Sequence, residues 1–278
     1  MTVSVHTNTS AMLALQNLNA TNRQMEDVQQ KISTGLQVSN AKDNPSVYAI
    51  AQKQRAELTG LNAVKDGLNR ATSVADVSMA AGESVSDLLN QLREKVVGAM
   101  DTSIDTTSRN ALNGDFRSIL QQISHIVENA TFDGVNLLNG SLSKNVQYIA
   151  NADANSTVTL SVRTIALGGP IISLTAGSQL STATSASHIL SQLDASIVSL
   201  NANLGALGSQ AKQIEGHLTF IAKLQDSVTG GIGHLVDADM GKESSLLQAL
   251  QIQQQLGTQS LSLANQAPQQ ILSLFKGG

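Results

Sequence analysis

The sequence contains no cysteine and no tryptophan, and only 2% of its 278 residues are aromatic. Without cysteine the chain can form neither a disulfide bond nor a thiol nucleophile. With so few aromatic rings it offers no platform for stacking bases and no large aromatic-lined pocket. Proline is also scarce, at three residues, and this scarcity favours long helices.

Charge is sparse and slightly negative. The chain has 17 basic and 21 acidic residues, a net charge of −4, which predicts no nucleic-acid partner. No stretch is apolar over about 18 residues, so we expect no membrane insertion. The amino terminus lacks a basic segment followed by an apolar run, and we therefore expect no cleavable signal peptide.

The segment 244–275 contains no Asp, Glu, Lys, Arg or His. Its apolar residues recur in alternating steps of three and four, the spacing of a helix that packs against other helices. An ordinary surface helix would carry Lys and Glu on its outer face, whereas this one carries Gln, Ser, Thr and Asn. We therefore expect protein around it on more than one side. The predicted contact residues are Leu247, Leu250, Leu261, Ala264, Ile271 and Phe275.

The segment 10–36 has the same character. Apart from the terminal amine and His6, no ionisable side chain precedes Arg23. Two charge-poor ends around a normally charged middle predict that the terminal helices pair with each other and then with further copies of the chain. The alternative is a helix-pair core within one chain, but the missing charges favour burial between subunits. The predicted contact residues here are Leu15, Leu18, Met25, Ile32 and Leu36.

Between these ends, Gly35 is predicted to end the first helix in a left-handed conformation. β-branched runs separated by turn residues predict a short β region of two or three strands. The glycine-rich segment 230–233 is predicted to be a hinge before the last helix. The predicted fold class is mainly α, with long antiparallel helices forming a coiled-coil rod and a small β-hairpin region in the middle. The intervening helices are predicted at 46–58, from beyond Gly60 to 100, 107–130 and 184–228, with the β region at 141–180.

No arrangement of residues predicts catalysis or metal binding. The histidines show no metal-ligand spacing, and no Ser, His and Asp set has a triad-like context. Three acids at 237, 239 and 243 lack the twelve-residue calcium-loop pattern and are better explained as acids at a helix start. We therefore expect no enzyme activity and no cofactor. The histidines are His6, His125, His188, His217 and His234.

Three stretches resemble the bacterial flagellin family. Near the start, Leu15-Gln16-Asn17-Leu18 and Lys31-Ile32-Ser33-Thr34-Gly35-Leu36 are followed by Ser39 to Pro45 (SNAKDNP). In the middle stands Phe132 to Gly140 (FDGVNLLNG). Towards the end, Leu235 to Met240 (LVDADM) precedes Leu263-Ala264-Asn265-Gln266-Ala267-Pro268 and Leu272-Ser273-Leu274-Phe275. The motifs occur in the family's order and cover both terminal thirds of the chain.

The resemblance implies a structural subunit that polymerises into the flagellar filament used for swimming. It also implies an extracellular location, reached by export in an unfolded state through the flagellar type III apparatus, with a flagellin chaperone, hook-associated proteins and a cap protein as further partners. The implied layers are a filament-core domain at 1–43 and 234–278, a helical rod domain at 44–140 and 181–233, and a short β region at 141–180 where many members carry large outer domains.

The segment Leu89 to Val97 resembles the patch that the innate-immune flagellin receptor reads in many family members. Arg93 and Glu94 match that patch. Gln91 stands where those members have arginine, and Lys95 where they have leucine, so we predict weak receptor binding.

Two other functions are weighed against the filament subunit. A hook–filament junction protein has similar terminal helices. A cell-surface polysaccharide-binding module belongs to a different class of protein. Such a module would require clustered aromatic residues, and the chain has only two tyrosines and no tryptophan, which argues against it.

Overall fold

The structure is a computed structural model that describes the backbone of residues 7–276 and the side chains of residues 7–266. Within this part the chain forms five helices and one two-stranded antiparallel sheet, which confirms the predicted mainly α class with a small β-hairpin. The elements are α1 (Thr9–Thr34), α2 (Pro45–Met100), α3 (Thr106–Asn129), β1 (Val146–Ile149), β2 (Thr157–Leu160), α4 (Ala183–Val236) and α5 (Met240–Lys276).

The chain divides into two compact units. The first unit comprises residues 1–56 and 227–278, and the second comprises residues 57–226. Each contains its own cluster of buried apolar side chains. These units do not test the division into filament core, helical rod and β region, which stays a prediction.

The ends of α1 follow from its sequence. Asn8 precedes the helix, and its side-chain oxygen accepts a hydrogen bond from the Ala11 backbone N–H at 3.1 Å. Gly35 follows the helix with φ +70°, and its N–H donates to the Lys31 carbonyl at 2.9 Å. Glycine adopts this left-handed conformation without a Cβ clash, so the predicted cap is confirmed.

The turn before α2 is held by Asp43. Its carboxylate accepts hydrogen bonds from the backbone N–H groups of Ser39, at 2.9 Å, and Asn40, at 3.1 Å. The Ser39 backbone hydrogen bond is the main reason why the pKa of Asp43 lies below its ordinary value. Pro45 then occupies the first position of α2, where a missing N–H costs the helix nothing.

Gly60 does not separate two helices, and the prediction of a break there was wrong. α2 is continuous from Pro45 to Met100. A Cβ built on Gly60 would lie 3.0 Å from the Ala152 Cβ, so the missing side chain allows the loop after β1 to approach the helix. The packing of this loop offsets the penalty of about 1 kcal/mol that glycine brings to a helix interior.

The predicted hinge at residues 230–233 was also wrong. α4 runs through these glycines and ends only at Val236. Ile232 and Val236 are both buried, in a cluster with Val38 and Ala51. Helical geometry is what brings these two side chains onto one face, so burial outweighs the weak helix propensity of the glycines.

The β region is a small hairpin. Val146 of β1 pairs with Leu160 of β2, and Ile149 pairs with Thr157. In the described part of the chain no third strand forms from the run at 171–174, which contributes one isolated bridge between Leu167 and Ile172.

The second unit surrounds a continuous apolar core. α2, α3, the hairpin region and α4 all contribute fully buried side chains to it. The helix end of α2 is secured by Arg109, whose guanidinium donates to the carbonyls of Ala99 and Asp101. The largest fully buried side chains are Phe116, Leu61, Leu68, Leu89, Leu92, Leu120, Ile123, Leu137, Leu138, Leu160, Ile165 and Ile172.

Candidate assembly surface

The first unit is built around an antiparallel pair of helices, α1 and α5. The Asn8 side chain donates to the Ala264 carbonyl at 2.8 Å, and the Gln254 amide donates to the Asn22 side-chain oxygen at 2.8 Å. Further along, Leu36 forms a bridge with Asp237. These contacts fix which face of each helix meets the other. We call the apolar strip between the two helices the seam.

Most of the predicted contact residues lie on this seam or beside it. Leu250 is buried, and the others are half-buried, except Leu15, which is 47% exposed. Ile271 and Phe275 lie outside the residues whose side chains the structure describes. The half-buried residues are Leu18, Met25, Ile32, Leu36, Leu247, Leu261 and Ala264. The structure thus brings the two predicted segments together within one chain, and their contact with other copies stays a prediction.

A second apolar surface was missed by the sequence reasoning. On α5, Ile252 is 60% exposed, Leu256 58% and Leu263 63%. On a helix of about 3.6 residues per turn, this stripe lies about 145° around the axis from the seam. We call it the outer stripe. Its signal was present in the sequence as leucine and isoleucine at spacings of four and seven, off the line of the seam.

α1 also has an uncovered apolar surface. Met12 is 64% exposed and Leu13 59%, and both line a surface groove on this helix with Leu15 and Arg23. Arg23 is the first lysine or arginine of the sequence. Side chains of this size and exposure on both helices form a surface that a single chain leaves in contact with water.

Two acids at the start of α5 have different environments. Asp239 accepts hydrogen bonds from the N–H groups of Gly241, at 3.0 Å, and Lys242, at 3.1 Å, as expected of an acid at a helix start. Glu243 is only 5% exposed, and its Oε2 has no hydrogen-bond partner among the described residues. The burial of this carboxylate could not be foreseen from its position in the first turn.

The receptor-like patch lies on α2. Gln91 and Glu94 are exposed, while Arg93 bonds to Asp194 at 2.9 Å. The Lys95 ammonium lies 3.4 Å from the Asp115 carboxylate. The two basic residues are thus held by acids of the same chain.

The described residues contain no group of three or more His, Asp or Glu side chains that could hold a metal ion. His217 is half-buried, with its Nε2 2.6 Å from the Ala150 carbonyl and its ring 5.8 Å from that of Phe220. Within the described part of the chain, no helix combines the length and hydropathy needed to cross a membrane.

Long helices, a charge-poor helix pair and uncovered apolar faces are typical of structural proteins that assemble through their helices. Comparison with known proteins identifies the family. The model of the bacterial flagellin N-terminal helical region matches residues 5–143, and that of the C-terminal helical region matches residues 190–275. The chain belongs to the bacterial flagellin family, whose members are structural subunits of the flagellar filament and not enzymes.

Individual relatives support the same family assignment. The chain is 48% identical to the flagellin FljJ of Caulobacter vibrioides over 278 residues, covering all of both chains. It is 36% identical to a flagellin of Brucella melitensis, covering 99% of each chain. Its fold is similar to that of a putative flagellar hook-associated protein from Vibrio parahaemolyticus, with a TM-score of 0.60, 12% identity, and coverage of 70% of this chain and 100% of that one.

Proposed function

We propose that copies of this chain join into the flagellar filament mainly through the uncovered apolar faces of α1 and α5. The support is the exposure of large aliphatic side chains on both helices, after the seam has already been formed within one chain. Burying such a side chain contributes about 1.5–3 kcal/mol, so a few of them provide much of the driving force for association. A face that binds a different face of the next copy generates an open helical assembly.

The lack of charge over most of α5 supports the same role. The segment 244–275 has no ionisable side chain, and its polar residues are mostly amides and hydroxyls. Burial of an amide is tolerable when it finds a hydrogen-bond partner, whereas burial of an unpaired charge is far more costly. A tightly packed polymer core therefore suits this composition better than a solvated surface does.

The layers follow from this assignment. The terminal segments 1–43 and 234–278 form the filament core, residues 44–140 and 181–233 form the surrounding helical wall, and the short β region at 141–180 stands in place of a large outer domain. The polymer transmits motor torque as thrust. The chain reaches the growing end unfolded through the flagellar type III apparatus, with the chaperone, hook-associated proteins and cap protein as its partners, and works outside the cell.

The assembly role is tested by changing the outer stripe alone. Replacing Ile252, Leu256 and Leu263 together by serine leaves the seam residues in place, and we expect the variant to form no long tubes in electron micrographs of concentrated pure protein. The matched control is Val198→Ser, which changes an aliphatic residue that is 70% exposed in the second unit. Tubes of normal length from the triple variant would refute the proposal.

A truncation gives an independent test. A chain ending at Glu243 lacks nearly all of α5, and we expect a helical protein that stays monomeric. Tubes from this truncation would contradict the assignment of α5 to assembly. Long tubes formed by the pure full-length chain also separate a filament subunit from a hook–filament junction protein.

We further propose that the innate-immune flagellin receptor is activated only weakly. The support is the patch itself, where Gln91 replaces the arginine of the resembling proteins and Lys95 replaces their leucine. Gln91→Arg combined with Lys95→Leu should raise the response in a receptor reporter assay. The control makes the same two kinds of change at exposed positions outside the patch, Gln122→Arg with Lys212→Leu, and should leave the response unchanged. A full response to the unmodified monomer would refute this proposal.

A further inference from the structure

Hydrophobicity alone does not explain which face of α5 packs against α1. The seam side of α5 presents Leu247, Leu250, Leu261 and Ala264, but it is interrupted by Gln254 and Gly257. The outer stripe over the same length presents three large aliphatic residues that stay more than half exposed. Because both sides carry about the same number of large aliphatic residues, burial of apolar area alone would permit α1 to pack against either.

The first feature that favours the seam is an amide pair. Gln254 donates to Asn22 at 2.8 Å in a partly buried position, across 232 residues of sequence. If α5 turned about its axis to present the outer stripe, Asn22 would lose this partner and face aliphatic side chains. An amide that is buried without a partner carries a desolvation penalty, so the pair disfavours the turned arrangement.

The second feature is steric. A Cβ placed on Gly257 would lie 3.2 Å from the Leu18 Cδ1 and 3.9 Å from the Leu18 Cβ. The missing side chain therefore makes the space that Leu18 fills. Leu256, on the outer stripe, offers no such space. The hydrogen bond from Asn8 to the Ala264 carbonyl, at 2.8 Å, lies on the same side of the pair.

We propose that the Asn22–Gln254 amide pair is a specificity determinant that selects the seam side of α5, rather than the outer stripe, for α1. The consequence is that the outer stripe is kept free for other copies of the chain. A single buried polar pair can impose one arrangement on helices whose apolar faces would permit several. This selection concerns the fold of one chain, and its significance for assembly rests on the proposed function.

Disulfide trapping tests the selection directly, because the natural chain has no cysteine to confuse the result. In the full chain, Leu18→Cys with Gly257→Cys reports the seam, since the two Cβ positions are 3.9 Å apart, within the range for a disulfide. Leu18→Cys with Gln259→Cys reports the turned arrangement, because Gln259 is exposed and lies on nearly the opposite side of α5 from Gly257. Non-reducing gels separate bonds within one chain from bonds between chains.

Each reporter pair is then combined with Gln254→Ala, which leaves Asn22 without its partner, and with Gln255→Ala as the matched control at an exposed neighbouring position. We expect the seam disulfide to dominate in the unaltered amide background and in the control. In Gln254→Ala the yield of the turned disulfide should rise about tenfold. The exchange Asn22→Gln with Gln254→Asn should restore the original preference.

Equal yields of the turned disulfide in Gln254→Ala and in Gln255→Ala would overturn the proposal. So would the loss of both disulfides in Gln254→Ala, because the outer stripe would then have failed to replace the seam. The readout is a bond within one chain and does not require polymer. A negative result therefore overturns the selection mechanism without bearing on the role in the filament, which the outer-stripe variant tests.

Discussion

The two units of the chain differ in how far each completes its own core. In the second unit, α2, α3, α4 and the hairpin region bury large side chains such as Phe116 and Leu120 almost completely. In the first unit, Val38 and Ile232 belong to a small buried cluster, but most of the seam is only half-buried and large side chains on both helices face water. The comparison teaches that one unit has a finished core, whereas the helix pair of the other leaves large apolar side chains in contact with water.

The largest expected effect is the loss of a core side chain from the second unit. Phe116 is fully buried, and Phe116→Ala should lower the free energy of unfolding of this unit by about 3–5 kcal/mol. The control is Val97→Ala on α2, where the side chain is 52% exposed and the change should be below about 0.5 kcal/mol. Chemical denaturation followed by circular dichroism measures both. Similar losses in the two variants would mean that the second unit lacks the finished core described here.

A smaller effect, of opposite sign, is expected in the first unit. Glu243→Met removes a buried carboxylate whose Oε2 has no hydrogen-bond partner in the described part of the chain, and it should raise the stability of the helix pair by about 1–3 kcal/mol. Glu26→Met, at an exposed position of α1, is the control. Hydrogen exchange of α1 and α5 amides reports the local stability of the pair. Faster exchange in Glu243→Met would show that the carboxylate stabilises the pair.

Two glycines of α2 provide a matched test inside the second unit. A Cβ on Gly67 would meet no atom within 4 Å, so Gly67→Ala should stabilise the helix by about 0.5–1 kcal/mol. Gly60→Ala should lose this gain, because its Cβ would press on Ala152 at 3.0 Å. Thermal melts of the two variants show the difference. Equal gains at both positions would contradict the close approach of the hairpin loop to α2.

The smallest expected effect is a change in how strongly acidic pH lowers the stability of the protein. Hydrogen bonds from the Ser108 side chain and backbone N–H hold the pKa of Asp105, before α3, below its ordinary value of 3.8. A carboxylate with a lowered pKa in the folded state contributes stability above that ordinary value, and the contribution is lost as the pH falls through the folded-state pKa. Asp105→Asn keeps a capping oxygen without the charge, and its denaturation midpoint should fall less between pH 5 and pH 3. Parallel curves for the two proteins would refute this.

Features set by local chemistry could be predicted from the sequence. Gly35 ends α1 because only its conformational freedom matters there, and the steps of three and four located the seam. Gly60 and the glycines at 230–233 misled the prediction, because distant packing by Ala152 and Val38 decides those positions. The pattern also could not tell which of two apolar sides of α5 a partner covers, since the deciding contact joins Asn22 and Gln254 across 232 residues.

One buried side chain fixes the point where the chain leaves the helices for the hairpin. The Asn136 amide donates to the Val127 carbonyl at 2.8 Å, and its oxygen accepts from the N–H groups of Leu138 and Asn139. After the hairpin, the backbone N–H groups of Arg163 and Ile165 donate hydrogen bonds to the carbonyls of Leu137 and Leu138. The segment that leaves the helices and the segment that returns to them are therefore held together by hydrogen bonds at neighbouring residues. Residues inserted at the exposed tip, residues 153–156, would lengthen the hairpin while the helical core keeps its dimensions.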